Sequence, residues 1–288
     1  MRFRGLSILL IILAVLVVVT WMYRRRAEPP EPIRLFSDFG DVQKIVLSRG
    51  DSTIVLESAG DEWRIVSPIE AAAEEGAVST LMDALRGMEI GEVVTRRPEM
   101  HESFGVGEGE KTEIFVQSSS GEVSFVAGKA AGFGEGYLRL SGEDAVYLVK
   151  GFSRHSFARG LDHWRDKSIL SIPRDAVEGI DYSYATERFS LSKEDGEWRL
   201  NGADIDSSKI LPVLAALENF RADGFLYEGE CKPEVTLEVR LTGDRRESIR
   251  IGEMKDMHYP VMHEGDEAIF LVSSRIVDRL KKKVSDFR

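Results

Sequence analysis

The chain has 288 residues, of which 43% are hydrophobic and 30% charged, with a formal net charge of −11 and one cysteine. This balance is typical of a globular protein and excludes a chain that is disordered over its whole length. The negative charge argues against general binding to nucleic acid phosphates, and one cysteine excludes an intramolecular disulfide and a cysteine-rich zinc site.

The first 26 residues are predicted to form a membrane anchor that stays attached to the chain. Residues 5–23 contain no charged side chain, and a helix of this length spans roughly 28 Å, close to the hydrocarbon core of a bilayer. Trp21 and Tyr23 end the run, where aromatic rings favour the headgroup layer, and Arg24–Arg26 follow. A cleaved signal peptide is the alternative, but its apolar region is shorter and is followed by small residues.

Residues 27–40 are predicted to form a linker, because Glu28–Pro32 is rich in proline and such segments are stiff and extended. The arginines on the two sides of the anchor nearly balance, so the positive-inside rule does not orient it. Without residues 1–30 the formal net charge changes from −11 to −15. Anionic lipid repels an acidic body, which predicts a body that stands away from the membrane surface.

The body is predicted to contain two copies of one unit, residues 41–170 and 171–288. The segment Asp61–Ile65 reads DEWRI, and it recurs 135 residues later as GEWRL in Gly196–Leu200. Apolar and polar residues alternate ahead of each tryptophan, which is the pattern of half-buried strands separated by turns. Each copy is therefore expected to open with three antiparallel strands, the last of which carries the tryptophan.

A helix is predicted after each tryptophan strand. In the first copy the apolar residues of one helical face are Val78, Leu81, Met82, Leu85 and Met88. In the second copy the corresponding residues are Ile210, Leu214 and Leu217, with Ser207 or Ser208 as the N-cap. Pro212 lies deep enough in this segment that the second helix is expected either to begin late or to be kinked.

Strands return after each helix, and each copy closes with a helical stretch, near 152–159 and 274–283. The strand at 269–272 follows its counterpart at 146–149 by 123 residues rather than 135, so the second copy is about a dozen residues shorter. The expected fold class is α+β: an N-terminal transmembrane helix followed by two tandem repeats of antiparallel strands with packed helices. Because Trp63 and Trp198 are equivalent in this repeat, both are predicted to be core residues rather than platforms for a stacked ligand.

The order of these elements, with Phe104-Gly105-Val106 before the next strand, resembles the domain of unknown function 4340 family over most of residues 40–275. The family has an aromatic residue, glycine and leucine at this place, often with a proline shortly after. This chain has Val106 instead of leucine and no nearby proline, and its second copy keeps Lys232-Pro233 but lacks the aromatic-glycine pair. The resemblance implies a bacterial protein with a single anchor and a body outside the cytoplasm. It also implies an association with ABC-type transport or gliding-motility membrane systems, because some relatives are associated with them.

No motif of familiar chemistry was found in the sequence. The run Gly128–Gly136 has neither the P-loop nor the dinucleotide-loop spacing, and it is predicted to be a long hairpin loop. Ser48–Ser52 contains an Arg-Gly-Asp tripeptide, but its Gly-Asp pair favours a hairpin turn. Cys231 is predicted to be a free thiol, and Asp204 and Asp206 are predicted to mark the entry of the second helix rather than a cation site.

Histidine spacing predicts no metal centre. His155 and His163 lie eight residues apart, about 12 Å along a helix, and His258 and His263 fall on opposite faces of a strand. Together with His101, these histidines are predicted to lie on the surface or in loops. No catalytic, cofactor-binding or metal-binding residue is therefore assigned, and no cofactor is expected.

We expect a non-enzymatic accessory or scaffold protein of a membrane complex. One helix holds it in the inner (cytoplasmic) membrane, with the body in the periplasm or otherwise outside the cytoplasm. The expected partner is a membrane-embedded or membrane-associated protein, and no nucleic acid partner is expected. Two alternatives stay open: a module that binds polysaccharide, peptide or lipid in a cleft between the repeats, and, less favoured, an extracytoplasmic hydrolase.

Overall fold

The computed structural model describes residues 34–36, 40–60, 62–109 and 111–288. The predicted anchor, residues 1–26, lies outside these residues, and so does most of the predicted linker. Within the described part of the chain, no helix is long and apolar enough to cross a membrane. Contacts between residues divide the chain into two units: one runs to Glu70 and continues over Glu75–Arg159, and the other comprises Ala71–Glu74 and Gly160–Arg288.

The first sheet contains nine strands. In chain order they are β1 (Val42–Arg49), β2 (Ser52–Ala59), β3 (Glu62–Ser67), β4 (Ala71–Ala72), β5 (Glu89–Thr95), β6 (Thr112–Ser118), β7 (Gly121–Gly132), β8 (Glu135–Leu140) and β9 (Val146–Lys150). Across the sheet their order is β4-β3-β2-β1-β6-β7-β8-β9-β5. The accompanying helices are α1 (Glu75–Arg86), α2 (His101–Phe104) and α3 (Arg154–Phe157), with a 3-10 turn at Pro98–Met100.

The second unit contains a small two-stranded sheet and a second large sheet. The strands in chain order are β10 (Ser168–Leu170), β11 (Val177–Tyr184), β12 (Arg188–Glu194), β13 (Glu197–Leu200), β14 (Ala203–Asp204), β15 (Phe220–Arg221), β16 (Gly224–Leu226), β17 (Pro233–Leu241), β18 (Arg245–Gly252), β19 (His258–His263) and β20 (Ile269–Ser273). The short strands β10 and β15 pair with each other, and the large sheet has the order β14-β13-β12-β11-β17-β18-β19-β20-β16. The helices are α4 (Leu161–Trp164), α5 (Leu211–Glu218) and α6 (Ser274–Leu280), and the 3-10 turns are Arg174–Ala176, Ser207–Lys209 and Val284–Phe287.

The two large sheets share one strand order and one register. Reading each sheet from its two-residue edge strand, the same succession of strands appears in both. Trp63 pairs with Ser58 across β3 and β2, and Trp198 pairs with Lys193 across β13 and β12, so both pairs are separated by the same 135 residues. This correspondence is what the predicted repeat requires, and it allows positions in one sheet to be compared with positions in the other.

The strands form because apolar side chains recur at every second residue and so share one face. In β6, for example, Ile114 and Val116 are fully buried, while Phe115 between them is half-buried. The apolar face of α1 covers the same core, as predicted: Val78, Leu81 and Leu85 are buried, and so is Met88 just after the helix, whereas Met82 is half-buried. The described chain is thus mostly β-strand, in two large antiparallel sheets with short helices, which confirms the antiparallel part of the predicted α+β fold.

The start of α5 shows how a proline sets a helix boundary. Asp206, rather than Ser207 or Ser208, is the capping residue: its carboxylate accepts a hydrogen bond of 2.9 Å from the Ser208 N–H at the start of a 3-10 turn. The α-helix begins only at Leu211, with Pro212 in its first turn, where the missing N–H is harmless. The late start predicted from Pro212 is therefore confirmed, and the serine N-cap is wrong.

The two equivalent tryptophans differ in burial. Trp198 is 5% exposed and belongs to the core of the second unit, as predicted. Trp63 is only half-buried, so the prediction that it is a core residue is wrong. The shared backbone position fixes the strand and its register, whereas burial of the side chain depends on the residues that cover each sheet.

Candidate binding groove on the second sheet

The histidines, which are the candidate metal ligands of the sequence, do not form a metal centre within the described residues. His101 is 9% exposed, and its Nε2 lies 2.9 Å from the Asp144 carbonyl oxygen, so its predicted surface location is wrong. The remaining histidines are exposed or half-buried, as predicted: His155, His163, His258 and His263. In the described part of the chain, no group of three or more His, Cys, Asp or Glu side chains is placed to hold a metal ion.

Two other predicted features have structural roles. Asp206 caps the turn before α5, in agreement with the predicted helix entry. Asp204 instead lies in strand β14, where its carboxylate accepts a hydrogen bond of 3.1 Å from Arg199 of β13, so its assignment to the helix entry is wrong. The run Gly128–Gly136 is not a long loop, because β7 continues to Gly132 and β8 begins at Glu135. The glycines lengthen the strands of this hairpin instead of opening it.

In the first unit, Phe104–Val106 covers the face of the sheet opposite to the core, and we call this segment the plug. Neighbouring residues of a strand point to opposite faces. Phe125 of β7 packs against Phe157 in the core, and Val126 therefore points outward. Val126 is nevertheless only 1% exposed, because Val106 of the plug packs against it.

The plug combines an aromatic and an aliphatic side chain around a glycine. Helix α2 ends at Phe104, and Gly105 follows in the left-handed conformation (φ +70°), a common helix end that favours glycine. The Phe104 ring contacts the Tyr137 ring edge-on, with 4.6 Å between the ring centroids. Val106 is completely buried against Val126 and Val146. The result is a small second core on the outer face of the first sheet.

Basic side chains fasten the plug to the sheet. The Lys129 Nζ donates a hydrogen bond of 3.0 Å to the Ser103 carbonyl oxygen, and the Arg139 Nε donates one of 3.0 Å to the Val106 carbonyl oxygen. Gly128 lies directly against the plug: a Cβ there would be 2.5 Å from the Phe104 carbonyl oxygen and 2.7 Å from Val106 Cγ1. A glycine is needed at this position because the two backbones approach so closely.

The equivalent face of the second sheet has no plug. Tyr137 pairs with Leu148 in the first sheet, and Pro260 pairs with Leu271 at the same place in the second. Gly252 takes the place of Gly128, but a Cβ there would lie 3.2 Å from the Cys231 Sγ. A thiol thus lies where the first unit has valine, and the groove lining contains no phenylalanine, tyrosine or tryptophan to cover the rest of the face.

An open groove of about 600 Å³ results. Its floor is formed by Leu226, Pro260 and Leu271, which lie on β16, β19 and β20, respectively, and alternate with the core residues of those strands. Its walls are the loop that follows β16, residues 228–232, and the connection between β18 and β19, residues 253–256. Met254, on the second wall, is 51% exposed.

A strained turn forms the tip of the second wall. Lys255 and His258 exchange two backbone hydrogen bonds, of 2.8 and 3.0 Å, around Asp256 and Met257. Both central residues have left-handed backbones, with φ +51° and +64°. Turns of this type favour asparagine and glycine, and the conformation is unusual for methionine. Met257 is also 65% exposed, and it follows Asp256, which lines the groove.

The groove carries negative charge. Its lining contains four carboxylates and two ammonium groups: Glu228, Glu230, Glu253, Asp256, Lys232 and Lys255. Within the described residues, none of these carboxylates has an ion-pair partner within 4 Å. Their charge is therefore available to a molecule that enters the groove.

Cys231 is a structural thiol at the edge of this groove. Its Sγ lies 3.4 Å from the Pro260 carbonyl oxygen, and the side chain is half-buried. Burial raises the pKa of the Cys231 thiol, so less thiolate is present near neutral pH than at an exposed cysteine. This environment is the opposite of that of a reactive cysteine and agrees with the predicted free thiol.

Comparison with known families identifies the chain. The model of a domain of unknown function, DUF4340, matches residues 63–239, which is more than half of the sequence. The chain belongs to the DUF4340 family. This match confirms the resemblance inferred from the sequence. No curated protein and no solved structure matches the chain.

The DUF4340 match extends from the tryptophan strand of the first sheet to β17 of the second. It includes the plug, Phe104–Val106, which is the part of the family pattern noted in the sequence. It also includes the first wall of the groove but ends before β19 and β20, which carry Pro260 and Leu271. The groove therefore lies partly in the DUF4340 segment and partly in the strands that follow it.

Sequence reasoning missed the groove, although one signal was present. The run Ile269–Val272 is apolar at every position, whereas a strand with one solvated face alternates. Ile269 and Leu271 are indeed half-buried on the outer face, while Phe270 and Val272 are in the core. Together with the missing aromatic-glycine pair of the second copy, this run points to an apolar outer face without its own cover.

Proposed function

We propose that this protein is a non-enzymatic accessory protein of a membrane complex and that it binds another polypeptide in the groove of the second sheet. One observation carries the proposal: an apolar outer face that the plug closes in the first sheet is open in the second. Exposed apolar surface bordered by polar residues is typical of interaction sites. The volume of about 600 Å³ accommodates a few side chains of a partner.

The turn at Asp256 and Met257 supports the same proposal. A left-handed non-glycine residue costs roughly 1–2 kcal/mol relative to an ordinary backbone, and such strain clusters at functional sites. Here the strained turn carries Asp256, which lines the groove, and the exposed Met257 next to it in sequence. Methionine is flexible and polarisable, which suits it to contacts with a partner's side chains.

We also propose that residues 1–26 hold the protein in the inner membrane, with the body outside the cytoplasm. The uncharged run 5–23 and the net charge of −15 of residues 31–288 support this arrangement. A shared membrane raises the effective concentration of partner and groove, so modest affinity suffices. An alkaline phosphatase fused after the last residue is expected to be active, and a cytoplasmic reporter at the same place is expected to be silent. The reverse pattern contradicts this orientation.

Site-specific photo-crosslinking in intact cells tests the docking function. A photoreactive amino acid at position 254 is expected to give one discrete adduct, and the captured chain is identified by mass spectrometry. The matched control has the photoreactive residue at position 211, because Leu211 and Met254 are both 51% exposed. No discrete adduct is expected from position 211.

The dependence of the adduct on the groove floor completes the test. Leu271→Ser, introduced together with the photoreactive residue at 254, is expected to reduce the adduct severalfold because it removes apolar contact area. Equal adducts from positions 254 and 211, unaffected by Leu271→Ser, would contradict docking in the groove. Turnover of a model substrate by the purified chain, without any groove-dependent adduct, would favour the hydrolase alternative.

A further inference from the structure

We infer that the groove takes a short partner segment in which an aromatic and an aliphatic side chain flank a glycine, with lysine or arginine on either side. This inference rests on the proposed docking function and adds the chemistry of the occupant. Three observations carry it: the segment that closes the same face in the first sheet, the shape of the open floor, and a reversal of charge between the two sheets.

The first sheet shows which kind of segment fits this face. There, Phe104 and Val106 pack on the outer sides of β7, β8 and β9, and Gly105 makes the turn between them. A Cβ on Gly105 would lie 2.9 Å from Lys129 Cγ and 3.3 Å from the Lys129 backbone nitrogen. The face therefore selects two apolar side chains separated by a residue that lacks a side chain.

The second sheet keeps part of this floor open. Pro260 and Leu271 hold the positions of Tyr137 and Leu148, so this part of the floor stays apolar but loses the bulk of the tyrosine ring. Beside it, the Cys231 thiol takes the place of Val106, and the exposed Arg250 takes that of Val126. The nearest aromatic of the loop after β16, Tyr227, is 54% exposed and hydrogen-bonds to Asp162 through its hydroxyl. Space for an aromatic ring is thus left on a floor that an aromatic ring covers in the first sheet.

The charge at one equivalent position is reversed. Lys129 follows Gly128 and fastens the plug through its Nζ. Glu253 follows Gly252, the equivalent glycine, and lines the groove. With the other unpaired carboxylates of the lining, this residue favours basic groups on the occupant, because complementary charge steers and orients binding.

Binding of designed peptides to the full-length chain in detergent tests this inference. The probe is fluorescein-labelled Lys-Lys-Ser-Phe-Gly-Val-Gly-Lys-Lys. One control peptide has serine in place of phenylalanine and valine, and a second has glutamate in place of every lysine. The first peptide is expected to bind saturably. Each control is expected to bind with an affinity at least roughly tenfold lower: the first because it lacks the central aromatic anchor, and the second because its charge repels the acidic groove. Salt at about 1 M, where the Debye length is about 3 Å, is expected to lower the affinity of the basic peptide for the chain.

Paired variants assign the binding to the groove. Met254→Ser is expected to lower the affinity for the basic peptide severalfold. Leu211→Ser, at a residue of equal exposure, is expected to leave that affinity unchanged. Glu253→Lys is expected to lower the affinity for the basic peptide roughly fivefold and to raise the affinity for the acidic peptide, as expected for an exposed charge pair. The control for charge is Glu99→Lys, at an exposed residue of the first unit, which is expected to have no effect.

The outcomes separate the inference from the docking function on which it rests. Groove-dependent capture of a partner at position 254, with none of the three peptides bound, overturns the inference and leaves docking intact. Peptide binding that is equal in Met254→Ser and Leu211→Ser overturns it as well. Absence of both capture and peptide binding overturns docking and inference together. Capture of a second copy of this chain, instead of a different protein, overturns the inference that the occupant is a basic segment of a partner protein.

Discussion

His263 is a single residue whose protonation is coupled to stability. Its Nε2 lies 2.8 Å from a Glu247 carboxylate oxygen and its Nδ1 lies 3.0 Å from one of Asp266. Burial alone lowers the pKa of His263, but the hydrogen bonds to the two carboxylates outweigh it and leave the pKa raised. The protonated ring can donate to both carboxylates at once.

The raised pKa determines how stability changes with pH. His263 contributes stability that is fully present below the pKa of an unfolded histidine, about 6.5, and is lost as the pH rises through the higher folded value. We therefore expect His263→Gln to lower the free energy of unfolding by about 1 kcal/mol at about pH 6 and by clearly less at about pH 8.5. Urea unfolding of both proteins at the two pH values measures the difference. A gap that grows toward high pH would show that the carboxylates do not favour the charged ring.

At the scale of one element, the plug is an independent small core that stabilises the first unit. Phe104→Ala is expected to lower the free energy of unfolding by about 2 kcal/mol, less than a fully buried phenylalanine because this side chain is half-buried. The matched control is Phe133→Ala: Phe133 is 107% exposed, and its loss is expected to change stability by less than about 0.5 kcal/mol. Thermal and urea unfolding measure both. Equal effects of the two substitutions would mean that the plug does not stabilise the sheet.

The elements also show how far the sequence leads. The tryptophan strands, the apolar face of α1 and the late start of α5 follow from residue periodicity and from Pro212, which act locally. The plug and the groove do not follow in this way, because both depend on which segment lies over the outer face of a sheet. Alternation reports that a residue such as Pro260 faces outward, but not whether Phe104 or solvent covers the equivalent position. The half-buried Trp63 has the same explanation: register is local, and cover is not.

At the scale of the whole molecule, the chain passes between its two units three times. Ala71–Glu74 belongs to the second unit, although the chain before and after it belongs to the first. The Glu74 N–H donates to the Trp164 carbonyl oxygen at 2.7 Å, and its carboxylate accepts from Arg221 at 2.6 Å. The second unit is therefore not encoded by one continuous stretch of sequence.

Removal of the Glu74 carboxylate tests how much this short segment contributes to the second unit. Glu74→Ala is expected to speed hydrogen exchange in β10 and β15 up to roughly fivefold, the effect of about 1 kcal/mol from a partly exposed charge pair. The adjacent Glu75→Ala is the control, since Glu75 is exposed in the first turn of α1 and is expected to leave that exchange unchanged. Equal exchange rates in β10 and β15 for the two variants would contradict a contribution from Glu74.

The difference between the two outer faces has an evolutionary consequence. In the first sheet, mutation of Val126 or Val146 is opposed by folding itself, because both are packed beneath the plug. In the second sheet the equivalent positions are the exposed Arg250 and the half-buried Ile269, where selection for folding is weaker. Among orthologues, residues on the outer face of the second sheet are then free to diverge, while those beneath the plug of the first sheet change slowly. We expect substitutions around the groove to co-vary with the genes of neighbouring membrane proteins rather than with the rest of this chain.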